Sequence, residues 1–262
     1  MKVNTPRMPE AFDALRGLLE DVLRVRDDLQ DERLWWRGQP VVGLPLKPRI
    51  FRNSVLPNEE YNYIHGFNQQ APIRYAAWPT TRCHQLILMQ HYGLPTRLLD
   101  WSQGLLIACF FAVNEGQQDK PASLWALKPH VLNDLHRPKG SNPLSLIFPD
   151  TSDEVQRMVD LAFTPYNKRP NDGDRVLAMS APELDLRMLV QWSVYTIHAS
   201  DKAMEDLPNK EKFLSEIIIP PERRYALRQA LKFVGILRSR LFPDLQSLAE
   251  YLRNPGWNIV KC

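Results

Sequence analysis

"LPTRLLDWSQGLLIACFFAV", residues 94–113, places Arg97, Asp100, Trp101 and Ser102 directly before an almost wholly apolar run, Gly104–Val113. Pro95 forces an extended entry. "RLLDW" reads as a short strand or turn, and the run after it, by its length and alanines, as a buried helix. That run is too short to span a bilayer. The pattern to explain is why strong hydrogen-bonding and stacking groups stand at the mouth of a core segment.

Working outward, "TTRCHQLILMQHYG" (80–93) reads as a helix capped by Thr80 or Thr81 and stopped at Gly93. "NEEYNYIHGFNQQA" (58–71) is a helix before it, and "RLWWRGQ" (33–39) is a short strand ending at Gly38. Phe12, Leu15, Leu18, Leu19, Val22 and Leu23 recur at helical spacing, giving an N-terminal helix within residues 1–30. Downstream, "ASLWALKPHVL" (122–132) is a strand running into a loop. "LVQWSVYTIHA" (189–199) alternates as a strand from Val190, and "FLSEIIIP" (213–220) is another, halted by prolines. "ERRYALRQALKFVG" (222–235) and "LFPDLQSLAEYLRN" (241–254) are closing helices, the second capped by Asp244. Residues 136–183, rich in Pro, Asn, Asp and Ser with one helix at 151–163, read as a variable insertion or lid. Strands and helices intermix without strict βαβ alternation, so the class is α+β, with the main domain at 31–254.

Composition narrows the function. The chain has 262 residues, 44% hydrophobic and 24% charged, an ordinary globular balance. A net charge of +3, scattered in no run longer than a pair, does not by itself argue for nucleic acid. Three cysteines lie far apart without a CxxC, which suggests neither a disulfide framework nor a metal site. A reducing cytoplasm is the expected compartment, with no membrane segment. The nucleotide-loop, metalloprotease, hydrolase-elbow and EF-hand patterns are all missing from the sequence.

Three polar clusters remain. In Trp36-Arg37-Gly38-Gln39, an arginine closes a strand. It either grips a phosphate or carboxylate bidentately or forms a buried structural salt bridge, with Gly38 serving a turn. His91, Tyr92, Arg97, Asp100, Trp101 and Ser102 fall close together. Arg97 and Asp100 either pair as a local strut or shape a pocket, and Trp101 is either a stacking platform or core. Asp100–Ser102 also sit where a helix begins, a place that attracts anions. In the third cluster, Gln191 and Ser193 share one strand face with Trp192 on the other, and His198 ends the strand. Glu216 is either a sheet-edge carboxylate or simply exposed.

"WWRGQ", then "HYGLPTRLLDWS" and "ACFFAV", resembles the FRG domain, named for its aromatic-Arg-Gly motif. "RMLVQWSVYTIH" and "EIIIPPERRYALRQALKFVGILRSRLFPDLQSLAEYL" are similar to that family's later segments. The family occurs in bacteria and phages, often near toxin or defence genes. A weaker resemblance reaches ADP-ribosyltransferases of the Arg-Ser-Glu type. It implies a central mixed or split β-sheet flanked by helices, with NAD as substrate and no metal. It also implies a protein, nucleic-acid or water acceptor. On this resemblance Arg37, Ser102 and either Gln191 or Glu216 are the catalytic trio. Trp36, Gly38, Gln39, His91, Tyr92, Arg97, Asp100, Trp101 and His198 surround the nucleotide. The alternative is a non-catalytic nucleotide- or nucleic-acid-binding module, in which Trp35, Trp36, Trp101 and Trp192 offer stacking platforms beside arginines.

Overall fold

Six strands carry the fold: β1 (Trp35–Gln39), β2 (Leu98–Ser102), β3 (Ala122–Leu127), β4 (Val176–Met179), β5 (Ser193–His198) and β6 (Leu214–Ile219). They form one sheet in the order β4-β5-β2-β1-β3-β6. The computed structural model describes residues 8–31, 33–52, 56, 58–137, 152–180 and 182–253. All pairings among these are antiparallel. The class is α+β as expected, but the sheet is neither mixed nor split in two. β2 and β3 run the same way, and β1 inserts between them, so no parallel neighbours result. β1 follows β3 from Trp35↔Leu127 to Gln39↔Ser123 but meets β2 at one register position, Trp36↔Ser102. The sheet therefore forks between β1 and β2.

Alternation assigns the faces. On one half of the first face, Trp36, Leu124 and Ile217 pack against α1 (Met8–Leu29), α4 (Leu105–Asn114) and α8 (Pro221–Phe233). On the other half, Leu98, Leu177 and Ile197 pack against α2 (Glu59–Gln70), α3 (Arg82–His91) and α6 (Asp153–Ala162). The opposite face buries Trp35, Leu99, Trp101, Leu127 and Val194 under α5 (Pro129–His136) and under Met204, Leu207 and Phe213. A seam thus separates two helix groups on the first face, directly above the fork.

Local chemistry explains most element ends. Thr81 Oγ1 accepts from the His84 amide at the start of α3, and Gly93 turns the chain at φ +86. Asp244 caps α10 (Leu245–Arg253) by accepting from the Ser247 amide at 2.8 Å.

Three readings change. Past Leu127 the chain enters α5 rather than a loop, with Pro129 in its first turn, where a missing N–H costs nothing. The described part of 136–183 supplies α6, whose Val155, Met158 and Val159 are fully buried, and the edge strand β4. This portion is built into the sheet layer, and the rest of that stretch, 138–151, lies outside the described residues. Finally, Gln191 ends a helix, α7 (Leu186–Gln191), and the strand begins only at Ser193. Trp192 between them is left-handed at φ 50, ψ 50, and its amide donates to the Met188 and Leu189 carbonyls.

Candidate functional site

The fork and the seam enclose a cavity of about 510 Å³. β1 contributes Trp36, Arg37, Gly38 and Gln39, and β2 contributes Asp100, Trp101 and Ser102. α3 adds Gln90 and His91, and α4 adds Ala108 and Phe111, with Glu115 just past its end. α7 and β5 add Arg187, Gln191, Ser193 and Tyr195, and Arg238 and Phe242 close one side. Two sequence clusters more than sixty positions apart therefore meet at one site.

Arg37 is its centre. Where β1 and β2 diverge, the Asp100 carbonyl has no ladder partner, and Arg37 Nη1 donates to it at 2.6 Å. The Asp100 carboxylate lies 4.0 Å from the same nitrogen. Arg37 Nε is buried without a hydrogen-bond partner. A guanidinium has five N–H donors, so this one retains unspent donors at the cavity wall. Burial pulls its pKa down, opposed by Asp100, yet arginine remains a cation at any working pH. Arg37 is thus a strut to the Asp100 carbonyl, the structural one of its two sequence readings.

Asp100 faces outward, with its side chain 54% exposed. Thr96 Oγ1 donates to Gln90 Oε1 at 2.7 Å, and Gln90 Nε2 donates to Asp100 Oδ2 at 2.9 Å, which fixes the carboxylate. Ser102 Oγ donates to the Gln191 carbonyl at 2.7 Å and accepts from the Gly104 amide at 3.0 Å. One acceptor lone pair is left to it. Gln191 Nε2 donates to the Leu241 carbonyl at 2.9 Å, so its amide braces α7 against α9 (Arg238–Leu241). His91 lies 3.4 Å from Asp185, and burial lowers its pKa despite that carboxylate. Burial pushes the Tyr195 phenol well up, leaving a neutral hydroxyl.

Several expected residues stand elsewhere or act differently. Arg97 does not pair with Asp100, because positions three apart in an extended chain point oppositely. It is buried in a bidentate pair with Glu60, Nε–Oε1 3.0 Å and Nη2–Oε2 2.6 Å, with Arg169 adding a second cation at 3.2 Å. His198 is buried outside the cavity, where burial beside Arg97 pulls its pKa down to about 3. Its Nε2 meets Thr196 Oγ1 at 2.9 Å, and that hydroxyl accepts from Trp101 Nε1 at 3.2 Å. Trp101 is therefore core, with its N–H spent inward, and not a stacking platform. Tyr92 is exposed beyond α3 against Tyr75, outside the lining. Glu216 sits on the edge strand β6 and accepts from Ser123 Oγ at 2.5 Å, with Trp125 between it and the Arg37 strand. The α4 N-terminus does not meet the cavity either; the helix presents Ala108, Phe111 and its C-terminal end. Any anion here is met by guanidinium groups.

Gly38 serves packing. A Cβ there would stand 2.0 Å from the Ala108 carbonyl and 2.5 Å from the Ala112 amide, so only glycine lets α4 lie on β1. Arg224, which the sequence does not single out, is 1% exposed and donates to five carbonyls: Pro40, Gln117, Lys120, Ala112 and Glu115. Two of these residues, Pro40 and Glu115, line the cavity. Nothing local in "PPERRYAL" marks this role. The buried Cys83 and Cys109 offer no nucleophile, and burial pushes the Cys109 thiol up to about 12. Among the described residues no group of His, Cys, Asp and Glu has metal-site geometry, and no helix is long and apolar enough to cross a membrane.

A forked antiparallel sheet with an arginine bridging the fork beside a polar cavity defines an α+β domain. Residues 32–121 match the family model of the FRG domain. The match runs from just before β1 to the end of the α4–β3 connection, so it includes Arg37 and the Asp100–Ser102 wall. No curated protein and no solved structure matches the chain.

Proposed function

We propose that the cavity binds an anionic nucleotide, with NAD as the ligand, and that the chain acts on it as an ADP-ribosyltransferase or NAD glycohydrolase. The observation that carries the binding step is Arg37, a largely buried guanidinium that lines a cavity of nucleotide-accommodating size and spends one hydrogen bond, from Nη1, on the Asp100 carbonyl. The chemistry rests on the resemblance to Arg-Ser-Glu transferases and on one carboxylate. Cleavage of the ribose–nicotinamide bond sends its electron pair out with neutral nicotinamide and leaves an oxocarbenium-like sugar, as in glycoside hydrolysis. Asp100, held by Gln90, is the anion placed to stabilise that cation. Water or an acceptor group then bonds the anomeric carbon and releases its proton to solvent. A protein or nucleic-acid acceptor, and a cytoplasmic role in toxin or phage-defence systems, follow from the family resemblance.

The test is purified chain with nicotinamide-labelled NAD, with and without cell lysate. Nicotinamide release that falls at least tenfold in Asp100→Asn, and is lost in Arg37→Ala, supports the reading. Absence of release from the unaltered chain in both conditions removes the catalytic part.

A second reading, a non-catalytic nucleotide-binding module, is favoured by two observations. Gln191 spends its amide on Leu241, and Glu216 lies on the far edge strand. Calorimetric binding of NAD without any turnover selects it.

A further inference from the structure

Phe242 carries two arginines. The guanidinium carbons of Arg187 and Arg238 each lie 4.6 Å from its ring centroid. Phe242 is itself held edge-on by Phe111, with centroids 6.0 Å apart. All four residues line the cavity that contains Arg37. Two like charges drawn to one ring repel each other, and the ring's quadrupole offsets only part of that cost. Their other partners are few. Among the described residues the Arg187 guanidinium makes no hydrogen bond or ion pair, and Arg238 has Glu250 at 3.9 Å as its ion pair. Arg187 also lies within electrostatic reach of His91 and Tyr195, both of which feel Asp100 as well. Arg187 therefore shares neighbours with Asp100, and among the described residues neither arginine of the pair bonds to Arg37 or Asp100, with which both line the cavity. Contact with the ring spends no N–H donor, which leaves N–H groups of both arginines for a ligand. Such groups fit phosphoryl oxygens.

We infer that Arg187 and Arg238, splayed on Phe242, form a second anion subsite in the cavity, so that the preferred ligand carries two linked phosphoryl groups. This rests on the cavity being a nucleotide site. It adds that a nucleoside diphosphate or a dinucleotide pyrophosphate is selected over a monophosphate. Arg37 takes one phosphoryl group, and the Phe242 pair takes the other.

The experiment is calorimetric titration of the purified chain with ADP, AMP and inorganic pyrophosphate at fixed ionic strength. The unaltered chain is expected to bind ADP roughly tenfold or more tightly than AMP, one extra charge-assisted contact being of that order. The R187Q/R238Q double variant is expected to lower ADP affinity to that of AMP and leave AMP unchanged. R37K is expected to weaken both. Equal ADP and AMP affinity in the unaltered chain, or an ADP preference that survives the double variant, overturns the inference. If the double variant does not fold, the two single variants carry the same readout, and a preference unmoved in both is equally decisive. A single-stranded oligonucleotide that outcompetes ADP and weakens steeply with salt overturns it in favour of nucleic acid. An ADP preference without any NAD cleavage leaves the subsite standing and removes only the proposed chemistry. Failure of every ligand to bind removes both.

Discussion

Arg37 Nη1 donates to the Asp100 carbonyl at 2.6 Å across the point where β1 and β2 part. A side chain here does what a backbone amide does elsewhere in the sheet, and its remaining donors are left beside the cavity. Lysine at this position keeps a charge but cannot satisfy the carbonyl and face a ligand in one plane. In Arg37→Lys we expect nucleotide affinity to fall by about 1.5–3 kcal/mol, the value of a charge-assisted hydrogen bond. Calorimetry reads the affinity, and thermal unfolding checks that the fold persists.

Gly38→Ala is expected to destabilise strongly although it adds one methyl group. The Ala108 carbonyl and Ala112 amide are backbone and cannot rotate away, so α4 must move. A cost of about 1–3 kcal/mol or more, typical of overpacking, will appear in urea unfolding. Unfolding indistinguishable from the unaltered chain would contradict the packing described here.

Arg224→Met keeps the aliphatic stem and strips the donors from five carbonyls. Leaving buried acceptors unpaired predicts a loss of about 3–5 kcal/mol. Because Pro40 and Glu115 are among the five, ligand affinity is expected to fall along with stability. The comparison is a denaturation midpoint against a titration on the same sample.

His198 predicts an acid limb to stability. Its folded pKa is lowered to about 3, against an ordinary value of 6.5. Between those values the unfolded chain binds the proton and the folded chain does not, so stability falls as pH drops from about 6.5 toward 3. The slope reaches about 1.4 kcal/mol per pH unit from this group. Melting temperatures across that window should show a shallower decline in His198→Gln than in the unaltered chain.

Trp192→Gly is expected to be neutral or stabilising by up to about 1 kcal/mol. Glycine relieves about 1–2 kcal/mol of left-handed strain and costs part of that in unfolded-state entropy. The ring is 58% exposed and gives up little burial. Chemical denaturation measures the difference.

The legible parts of the sequence were those whose signal is local. "RLWWRGQ", "RLLDWS" and "GLLIACFFAVN" carry strand and helix patterns within a few residues, and their convergence on one cavity follows from the β1–β2 pairing. Val190, Trp192 and Val194 imitate a strand in sequence, which is why Gln191 reads as part of one. The true boundary is a left-handed tryptophan, where glycine is the usual marker. β4 carries no clear sequence signal, because Val176–Met179 is four residues inside a polar stretch. Arg97 chose Glu60, thirty-seven positions away, over the nearer Asp100. Arg187, Arg238 and Phe242 come from separate segments, and no pattern in any one of them announces the cluster.

The β1–β2 fork has a mechanical corollary. Its latch is the Arg37 guanidinium, the group to which the proposed function also gives the ligand, so on that proposal occupancy and cohesion of the two helix groups are thermodynamically linked. A guest that engages Arg37 while keeping its grip on Asp100 stiffens the junction. One that draws it away unfastens β2 from β1, and amide exchange along Leu98–Ser102 would then quicken on binding.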